Sequence, residues 1–452
     1  MKTAAAIRWM ALFMALCACG GDTSEPEGDA SGDPPDAALD SSEPDLDASV
    51  DSAAPPIACG PWSGDAFYAR PADGAGPGEL VACETRPDDD RALRMLYVTE
   101  GPPGNFVTAS ALVILPDSPP PIGGWPVVGW AHGTTGAADA CAPSKFPDLP
   151  LNTYVLPFVE DGWALVATDY AGLGTPGPHP YLVGESEAFS VLDAVAAARR
   201  LPDVGASLGT AVTLAGHSQG GHAALFARAV PDAGNRAGGE IVGTIAYAPG
   251  LGTPRSLPYV LAPDDPLWGG APYVVLFLNA ALAYSDGPAP SSWLAPELAD
   301  SLPFWAESLC ILDLVDQVAS AAPAVGDLFT TDFLDGVGSC AYDDLDCPAG
   351  QPYWDVLVDN EPGRERGEGE VLLVQGMADD LVVPLATSCL ADRLAERDAP
   401  PAICVDEDAD HLAIVEQTFP PVLAWIRARL EGGTDPPDCD PAELPPCLAS
   451  EP

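Results

Sequence analysis

The chain has 452 residues and a formal net charge of −49, from 67 acidic against 18 basic side chains. Because the sequence has no basic stripe that could neutralise phosphates, we expect no binding to nucleic acid and no electrostatic docking on anionic lipid headgroups. The length is enough for one large domain with an insertion or for two ordinary domains.

The N-terminus has the composition of an export signal. Lys2 and Arg8 supply the positive end, and the apolar stretch at residues 9–16 is too short to span a bilayer. We therefore predict that residues 1–18 are a signal peptide.

The segment that follows has the composition of a tether. Leu16-Cys17-Ala18-Cys19 resembles a bacterial lipobox with Cys19 as the lipidated residue, although Cys17 is unusual at its position. Residues 19–57 are rich in acidic residues, Ser, Pro and Ala, and are predicted to be a disordered, lipid-anchored linker. We expect a cell-surface or outer-membrane lipoprotein that contacts the membrane through this anchor; cleavage and release as an extracellular protein is the alternative.

Beyond the linker, continuous apolar runs are separated by helix-like stretches, a pattern typical of a sheet covered by helices on both faces. We predict strands at residues 110–115, 126–130, 164–168, 210–214, 241–246, 371–374 and 402–405. We predict helices at residues 185–201, 220–229, 385–397 and 421–430. The pattern favours an α/β fold with core segments at residues 58–249 and 363–433.

The pentapeptide Gly216-His217-Ser218-Gln219-Gly220 lies between a predicted strand and the next predicted helix. In such a strand–turn–helix the serine adopts a strained conformation with its hydroxyl exposed, and the glycines let neighbouring backbones pass. The helix N-terminus at this turn also favours negative charge. We therefore predict that Ser218 is a nucleophile.

The alternation of strands and helices stops within residues 250–362, which we interpret as an insertion that caps the core. Residues 272–284 and 302–318 are apolar and are predicted to form short helices, too short to cross a membrane. We expect the cap to supply an acyl-chain pocket with Phe304, Trp305 and Leu309 as candidate wall residues. The alternative is an extra lobe without a role in substrate binding.

A nucleophilic serine needs a base, and hydrolases built around this turn carry first their acid and then their histidine after the serine. Four of the five histidines precede the serine or follow it directly on the same predicted helix: His132, His179, His217 and His222. Elimination leaves His411 as the base. The acid should follow the strand at residues 371–374, where Asp379 and Asp380 compete and spacing alone does not separate them.

Of the 12 cysteines, Cys17 and Cys19 lie in the export segment, and the remaining ten are an even number. In an exported protein this indicates disulfides rather than a metal site, and we predict no metal and no cofactor. From spacing we expect three bridges, the last within a Pro-rich tail at residues 434–452: Cys389–Cys404, Cys340–Cys347 and Cys439–Cys447.

Further local motifs accompany these residues. They are Trp130-Ala131-His132-Gly133-Thr134-Thr135-Gly136, Cys141-Ala142-Pro143-Ser144, Asp169-Tyr170-Ala171-Gly172-Leu173-Gly174, Gln375-Gly376-Met377-Ala378-Asp379 and Trp425-Ile426-Arg427-Ala428-Arg429-Leu430-Glu431-Gly432. Together with the serine pentapeptide and His411 they resemble the secretory lipase family, the α/β-hydrolases of the Candida lipase A type, over about residues 90–432. The resemblance implies an α/β-hydrolase fold, with a mostly parallel, doubly wound sheet and an inserted helical cap.

The resemblance also implies an oxyanion hole, in which backbone N–H groups stabilise the anion of the tetrahedral intermediate. One donor is the residue after the nucleophile, Gln219. The other lies in the loop that begins with His132, and we name Thr134, with Thr135 as the alternative. His132 is then structural and not a base.

For the acid, the family's spacing of three residues after the glycine points to Asp379, whereas a four-residue step back from Pro384 would point to Asp380. The resemblance further implies a disulfide between Cys141 and Cys310 that fastens the cap to the core. Cys59 and Cys83 then remain as a pair.

The sequence as a whole predicts a lipase or carboxylesterase that hydrolyses acylglycerol-type esters through a Ser218–Asp379–His411 triad and an acyl-enzyme. We expect it to act as a monomer on ester or lipid substrates. A serine peptidase or a short-chain esterase on the same fold is the alternative. A non-catalytic surface binding protein is a third reading.

Overall fold

A sheet of ten strands forms the centre of the protein in the computed structural model. The model describes residues 57–447 except 73, 88, 103, 147–150, 251–268, 341–344, 398–399, 434–436 and 440–442. The strands are β1 (Gly60–Pro61), β2 (Leu80–Thr85), β3 (Ala92–Glu100), β4 (Phe106–Ile114), β5 (Trp125–Ala131), β6 (Ala164–Ala171), β7 (Leu208–His217), β8 (Glu240–Tyr247), β9 (Glu370–Gly376) and β10 (Ala402–Asp406). The seven predicted strands correspond to β4–β10, whereas β1–β3 are not among the predictions. The predicted signal peptide, Cys19 and nearly all of the predicted linker lie outside the described residues.

The strand order is β1-β2-β3-β4-β6-β5-β7-β8-β9-β10. All neighbours from β6 through β5 to β10 pair in parallel, whereas β2, β3, β4 and β6 pair antiparallel in that order. The predicted mostly parallel α/β sheet is therefore confirmed. Parallel strands end at one edge, so the loops after β5, β7, β9 and β10 converge where open α/β sheets bind their ligands.

Helices connect the strands. In the described part they are α1 (Leu151–Glu160), α2 (Gly184–Ala198), α3 (Gln219–Ala229), α4 (Ala233–Ala237), α5 (Ala271–Tyr284), α6 (Ser301–Ser308), α7 (Ile311–Ala321), α8 (Val325–Leu328), α9 (Thr331–Gly338), α10 (Tyr353–Asp359), α11 (Pro384–Arg397), α12 (Ala413–Gln417) and α13 (Phe419–Leu430), with short 3₁₀ turns at Asp65–Phe67, Asp139–Cys141, Pro143–Lys145, Gly205–Ser207 and Pro290–Ser292. The four predicted core helices correspond to α2, α3, α11 and α13. No helix among the described residues is long and apolar enough to cross a membrane.

Helices cover both faces of the sheet. On one face α2, α3 and α4 pack against the strands and bury Val191 and Ala224. On the other face α1, α12 and α13 bury Phe158 and Trp425. A strand with both faces covered cannot alternate apolar and polar residues, which explains the continuous apolar runs in the sequence.

Helices α5–α10 lie between β8 and β9 and have an apolar core of their own. Trp293, Leu314 and Trp354 are fully buried in it, and Tyr181 and Leu182, which precede α2, join the same cluster. The insertion therefore packs on the core segment that leads into α2. Residues 251–268 of the predicted cap lie outside the described part.

The apolar stretch at residues 302–318 forms two helices, α6 and α7, because the chain is extended at Leu309 and Cys310. On α6 the buried positions are Leu302 and Ala306, one turn apart, which puts Phe304 on the opposite side. Phe304 is 67% exposed and does not pack into the core of the cap, and its place in the wall of an acyl pocket stays a prediction. Trp305 and Leu309 pack partly buried against the cap core.

Five disulfides join the cysteines of the described part. Cys59–Cys83, Cys141–Cys310 and Cys340–Cys347 pair as predicted. The predicted pairs Cys389–Cys404 and Cys439–Cys447 are wrong: the structure pairs Cys389 with Cys447 and Cys404 with Cys439. Cys439 packs against the core cluster that contains Cys404, so the tail is tied back onto β10 and α11 instead of closing on itself.

Candidate active site

Ser218 lies in the sharp turn between β7 and α3, with the backbone angles φ 57° and ψ −116°. Few non-glycine residues adopt a positive φ, and the strain is sustained by close packing around the turn. The Ser218 N–H donates to the Tyr247 carbonyl at 2.9 Å. A Cβ atom on Gly220 would lie 1.8 Å from the Ala131 carbonyl oxygen, and one on Gly216 would lie 2.2 Å from the Gly220 oxygen. The glycines at both ends of the pentapeptide are therefore sterically required.

Asp379 and His411 are brought together by the loops that follow β9 and β10. Asp379 Oδ2 accepts from His411 Nδ1 at 2.7 Å, while its Oδ1 accepts from the N–H groups of Leu381 and Val382 at 2.9 and 2.8 Å. Asp379 is 4% exposed, whereas Asp380 is an exposed residue. The bond to Asp379 leaves Nε2 of His411 as the basic nitrogen of the ring.

His217 connects the serine turn to His411. Its Nε2–H donates to the His411 carbonyl at 2.7 Å, and the two ring centroids are 4.6 Å apart. Burial, together with the proximity of His411, lowers the pKa of His217 to about 3, so the ring stays neutral near pH 7. Among the described contacts no hydrogen bond joins the Ser218 hydroxyl to His411; catalytic hydrogen bonds often tighten only when substrate binds.

The loop after β5 lies against the serine turn. A Cβ atom on Gly133 would be 3.2 Å from Nδ1 of His217 and 3.7 Å from Cβ of Ser218. The next residue, Thr134, has its hydroxyl 2.7 Å from the Tyr181 hydroxyl. The sequence-predicted oxyanion loop is thus adjacent to the predicted nucleophile.

The same loop is fastened to the cap. The Thr135 carbonyl accepts from the Ile311 N–H at 2.9 Å, and Gly136 forms an isolated β-bridge with Cys310. The Cys141–Cys310 disulfide closes this contact. The extended residue before α7 therefore lies beside the oxyanion loop.

The other histidines differ from His411 in their surroundings. Burial lowers the pKa values of His132 and His179 to about 4, so both rings are neutral near pH 7. The His132 carbonyl accepts from the Tyr170 hydroxyl at 2.8 Å, and the rings of these two residues lie 4.7 Å apart. These contacts agree with the structural role predicted for His132.

Sequence reasoning missed Glu187, a buried carboxylate on α2 that contacts the side chains of Gln219 and His222. Each of these contacts crosses more than 30 residues of sequence, and the glutamates in the first turn of an Ala-rich helix form no motif. The link that His217 makes to His411 was missed for the same reason, since the pentapeptide motif leaves its second position open.

The sheet order, the serine turn after β7 and the Asp–His pair after β9 and β10 define the α/β-hydrolase fold class. The sequence is similar to the secretory lipase family, whose family model matches residues 151–247, from α1 through the serine turn to the end of β8. The family resemblance predicted from the motifs is thereby confirmed. A search of curated proteins by sequence found no match.

Solved structures with the same fold include lipases and esterases. A ligand-bound form of the rice cell wall degrading esterase LipA from Xanthomonas oryzae superimposes with a TM-score of 0.65 at 19% identity, covering 79% of this chain and all of the esterase. Candida antarctica lipase A in its closed state gives a TM-score of 0.62 at 16% identity, over 85% of this chain and 88% of the lipase. A putative hydrolase from Legionella pneumophila gives 0.59 at 18% identity, over 76% and 90%. At these identities the likeness shows the α/β-hydrolase fold.

The chain is thus similar to secretory lipases in part of its sequence and to a lipase and an esterase in its fold. The five disulfides and the similarity to a secretory family together indicate an exported protein, since disulfides persist in oxidising compartments.

Proposed function

We propose that the chain hydrolyses carboxylic esters with a triad of Ser218, His411 and Asp379. The observation that carries the proposal is the buried 2.7 Å hydrogen bond between Asp379 and His411, which His217 ties to the strained serine turn. The Asp379 carboxylate fixes the ring tautomer and stabilises the imidazolium form, which is the role of the acid in this chemistry.

In the proposed reaction, Nε2 of His411 takes the proton of the Ser218 hydroxyl while Oγ attacks the ester carbonyl. The backbone N–H groups of Gln219 and Thr134 stabilise the resulting oxyanion. His411 returns its proton to the leaving alcohol, which breaks the ester bond and leaves an acyl group on Ser218. A water molecule, deprotonated by His411, then attacks the acyl group, the bond from the acyl carbon to Oγ of Ser218 breaks, and His411 returns the proton to Oγ as the carboxylic acid leaves.

The decisive variant is Ser218→Ala. It should lower kcat for p-nitrophenyl esters by about a thousandfold or more and abolish labelling by a fluorophosphonate probe, while the folded structure remains intact. Near wild-type turnover in this variant would exclude Ser218 as the nucleophile. Activity on peptide substrates but not on esters would favour the peptidase alternative.

For the substrate we propose acylglycerol-type esters, supported by the family match and by the apolar cap that packs beside the oxyanion loop. Burial of one further methylene contributes up to about 0.8 kcal/mol, or about fourfold in kcat/KM, until the pocket is full. A chain-length series of p-nitrophenyl esters should therefore rise from acetate towards longer acids. A steady fall from acetate would instead support the short-chain esterase.

We also propose that the protein is anchored through Cys19. The positive N-terminal end, the short apolar stretch and the lipobox-like residues 16–19 support an acylated cysteine, and two or more acyl chains suffice for stable anchoring. Wild-type protein should then sediment with membranes, and Cys19→Ala should not. Recovery of the wild type wholly in the medium would contradict the anchor.

A further inference from the structure

We propose that Glu187 is a positioning residue of the oxyanion hole, because its carboxylate binds the side chain of Gln219 and also Leu182, which follows the residue in contact with Thr134. This inference rests on the proposed ester hydrolysis. Glu187 lies on α2, is 1% exposed, and takes no part in the triad.

A single carboxylate oxygen of Glu187 binds both Gln219 and Leu182. Oε1 accepts from Nε2 of Gln219 at 2.8 Å and from the Leu182 N–H at 2.9 Å. Leu182 has a positive φ of 55° and directly follows Tyr181, whose hydroxyl is 2.7 Å from the Thr134 hydroxyl. One acceptor therefore holds the side chain of the residue that follows the nucleophile and, through Leu182 and Tyr181, is linked to Thr134 in the loop after β5.

A second acceptor fixes the orientation of the Gln219 amide. His179 donates through Nδ1 to the Ala171 carbonyl at 3.0 Å, so its Nε2 is an acceptor, and it lies 3.1 Å from Nε2 of Gln219. The low pKa of His179, caused by burial, agrees with this neutral tautomer. The NH₂ group of Gln219 thus has two acceptors, Glu187 and His179, and its side chain has one arrangement that satisfies both.

The other oxygen of Glu187 is matched by His222. Oε2 lies 2.8 Å from Nδ1 of His222, and Nε2 of His222 lies 2.9 Å from the Asn360 carbonyl. A carbonyl oxygen only accepts, so Nε2 carries a hydrogen, and one further proton is shared between Nδ1 and Oε2. Whichever atom holds that proton, the Glu187–His222 pair has no net charge.

The network also reaches the cap, since Asn360 directly follows α10 and its Oδ1 accepts from the N–H of Gly184, the first residue of α2. Glu187, His222 and Gln219 are each at most 1% exposed, so water cannot replace a lost contact without reorganisation. Misplacement of a catalytic group by 1 Å can cost on the order of 10² in rate. A positioning role for Glu187 therefore predicts a loss in kcat with KM preserved.

The test compares three substitutions of Glu187. Glu187→Gln keeps the length, accepts through Oε1 and donates through Nε2 to a neutral His222, so its kcat should stay within about fivefold of wild type. Glu187→Asp keeps the acid but is about 1.5 Å shorter, and Glu187→Ala removes the group. Both should lower kcat on the order of 10²-fold with KM unchanged. Substitution of the exposed Glu185 by Asp on the same helix is the matched control.

A transition-state readout separates positioning from loss of structure. Phenylboronic acid forms a tetrahedral adduct with an active serine, so its inhibition constant should rise in Glu187→Asp by the factor by which kcat/KM falls. Tyr181→Phe, which removes only the hydroxyl that contacts Thr134, should show the same correlation with a smaller loss. If the Glu187 variants fold poorly, the Tyr181→Phe variant still tests whether this network positions the oxyanion hole.

Two results would overturn the inference. The first is a wild-type kcat in both Glu187→Asp and Tyr181→Phe. The second is a Glu187→Asp enzyme that is more active than Glu187→Gln, because the charge of the side chain and not its length would then matter. Either result leaves Ser218-dependent ester hydrolysis in the wild type intact. Failure of the proposed function is distinguished by a wild type whose activity survives Ser218→Ala or is absent.

Discussion

At the scale of single residues, Asp379 and Asp380 are adjacent in sequence and differ in burial and partners. Asp379 accepts from His411 and from two backbone N–H groups, and Nε2 of Gln375 lies 3.3 Å from its Oδ2. Gln375 is itself fixed by the Thr387 hydroxyl, which donates to its Oε1. Asp380 lies on the exposed side of the same loop. This packing supports Asp379 as the acid.

Substitution of the two aspartates by asparagine should therefore have unequal effects. Asp379→Asn presents an amide to His411 and favours the wrong tautomer, so kcat should fall by about 10⁴-fold. Asp380→Asn removes one exposed charge and should leave kcat within about twofold. Steady-state kinetics on one p-nitrophenyl ester measures both. An inactive Asp380→Asn beside an active Asp379→Asn would reverse the assignment.

At the scale of elements, sequence patterns predicted β4–β10 and missed β2 and β3 for a physical reason. Glu84 on β2 and Arg94 on β3 are charged residues, which suggest solvent exposure, yet both are buried and bonded to each other at 2.9 Å. The guanidinium of Arg94 also lies 4.1 Å from the ring centroid of Trp62. A prediction based on apolar periodicity misses such strands, because the pattern does not show that a charged side chain is buried against a partner.

In the candidate site, too, some residues could be predicted from the sequence and others only from the structure. Ser218 and His411 followed from a local motif and from chain order, which sequence records directly. Choosing between Asp379 and Asp380 required the burial of each, and the role proposed for Glu187 required contacts to Gln219 that span 32 residues. The tail disulfides also depended on where the chain returns, which spacing does not encode.

At the scale of elements, Cys310, the extended residue before α7, connects the cap to the oxyanion loop. Without the Cys141–Cys310 disulfide, only the short backbone pairing of residues 135 and 136 with Cys310 and Ile311 would hold this contact, so the double Cys141→Ser and Cys310→Ser variant should lose about tenfold in kcat. Because the two cysteines have a sequence separation of 169, the loss in unfolding free energy should reach about 5 kcal/mol on the chain-entropy account.

The matched control is the Cys340–Cys347 bridge, which closes a loop with a sequence separation of 7 inside the cap. Its double serine variant should lose about 2 kcal/mol on the same account and keep wild-type kcat. Urea unfolding and ester kinetics on both variants provide the comparison. Equal kinetic losses in the two variants would show that the loop contact has no special role.

At the scale of the whole molecule, three buried histidines make the free energy of unfolding depend on pH. The folded pKa values of His132 and His179 are about 4 and that of His217 is about 3, below the usual value of 6.5, because burial disfavours the charged ring. Below pH 6.5 the unfolded chain binds protons that the folded chain does not. The contribution of these neutral histidines to the free energy of unfolding is therefore complete above pH 6.5. It is lost as the pH falls from 6.5 towards their pKa values in the folded protein.

His217→Gln isolates one of these contributions, because a glutamine amide can still donate to the His411 carbonyl without titrating. Between pH 7 and pH 5 the wild type should lose up to about 2 kcal/mol of unfolding free energy through His217, and the variant should not. Urea titrations at several pH values measure the difference, which should grow in favour of the variant as pH falls. The difference in unfolding free energy between the two proteins also removes the contribution of the other acidic and basic groups, which they share. A difference that stays constant across this range would mean that the folded protein accepts a proton on His217 as readily as the unfolded chain does.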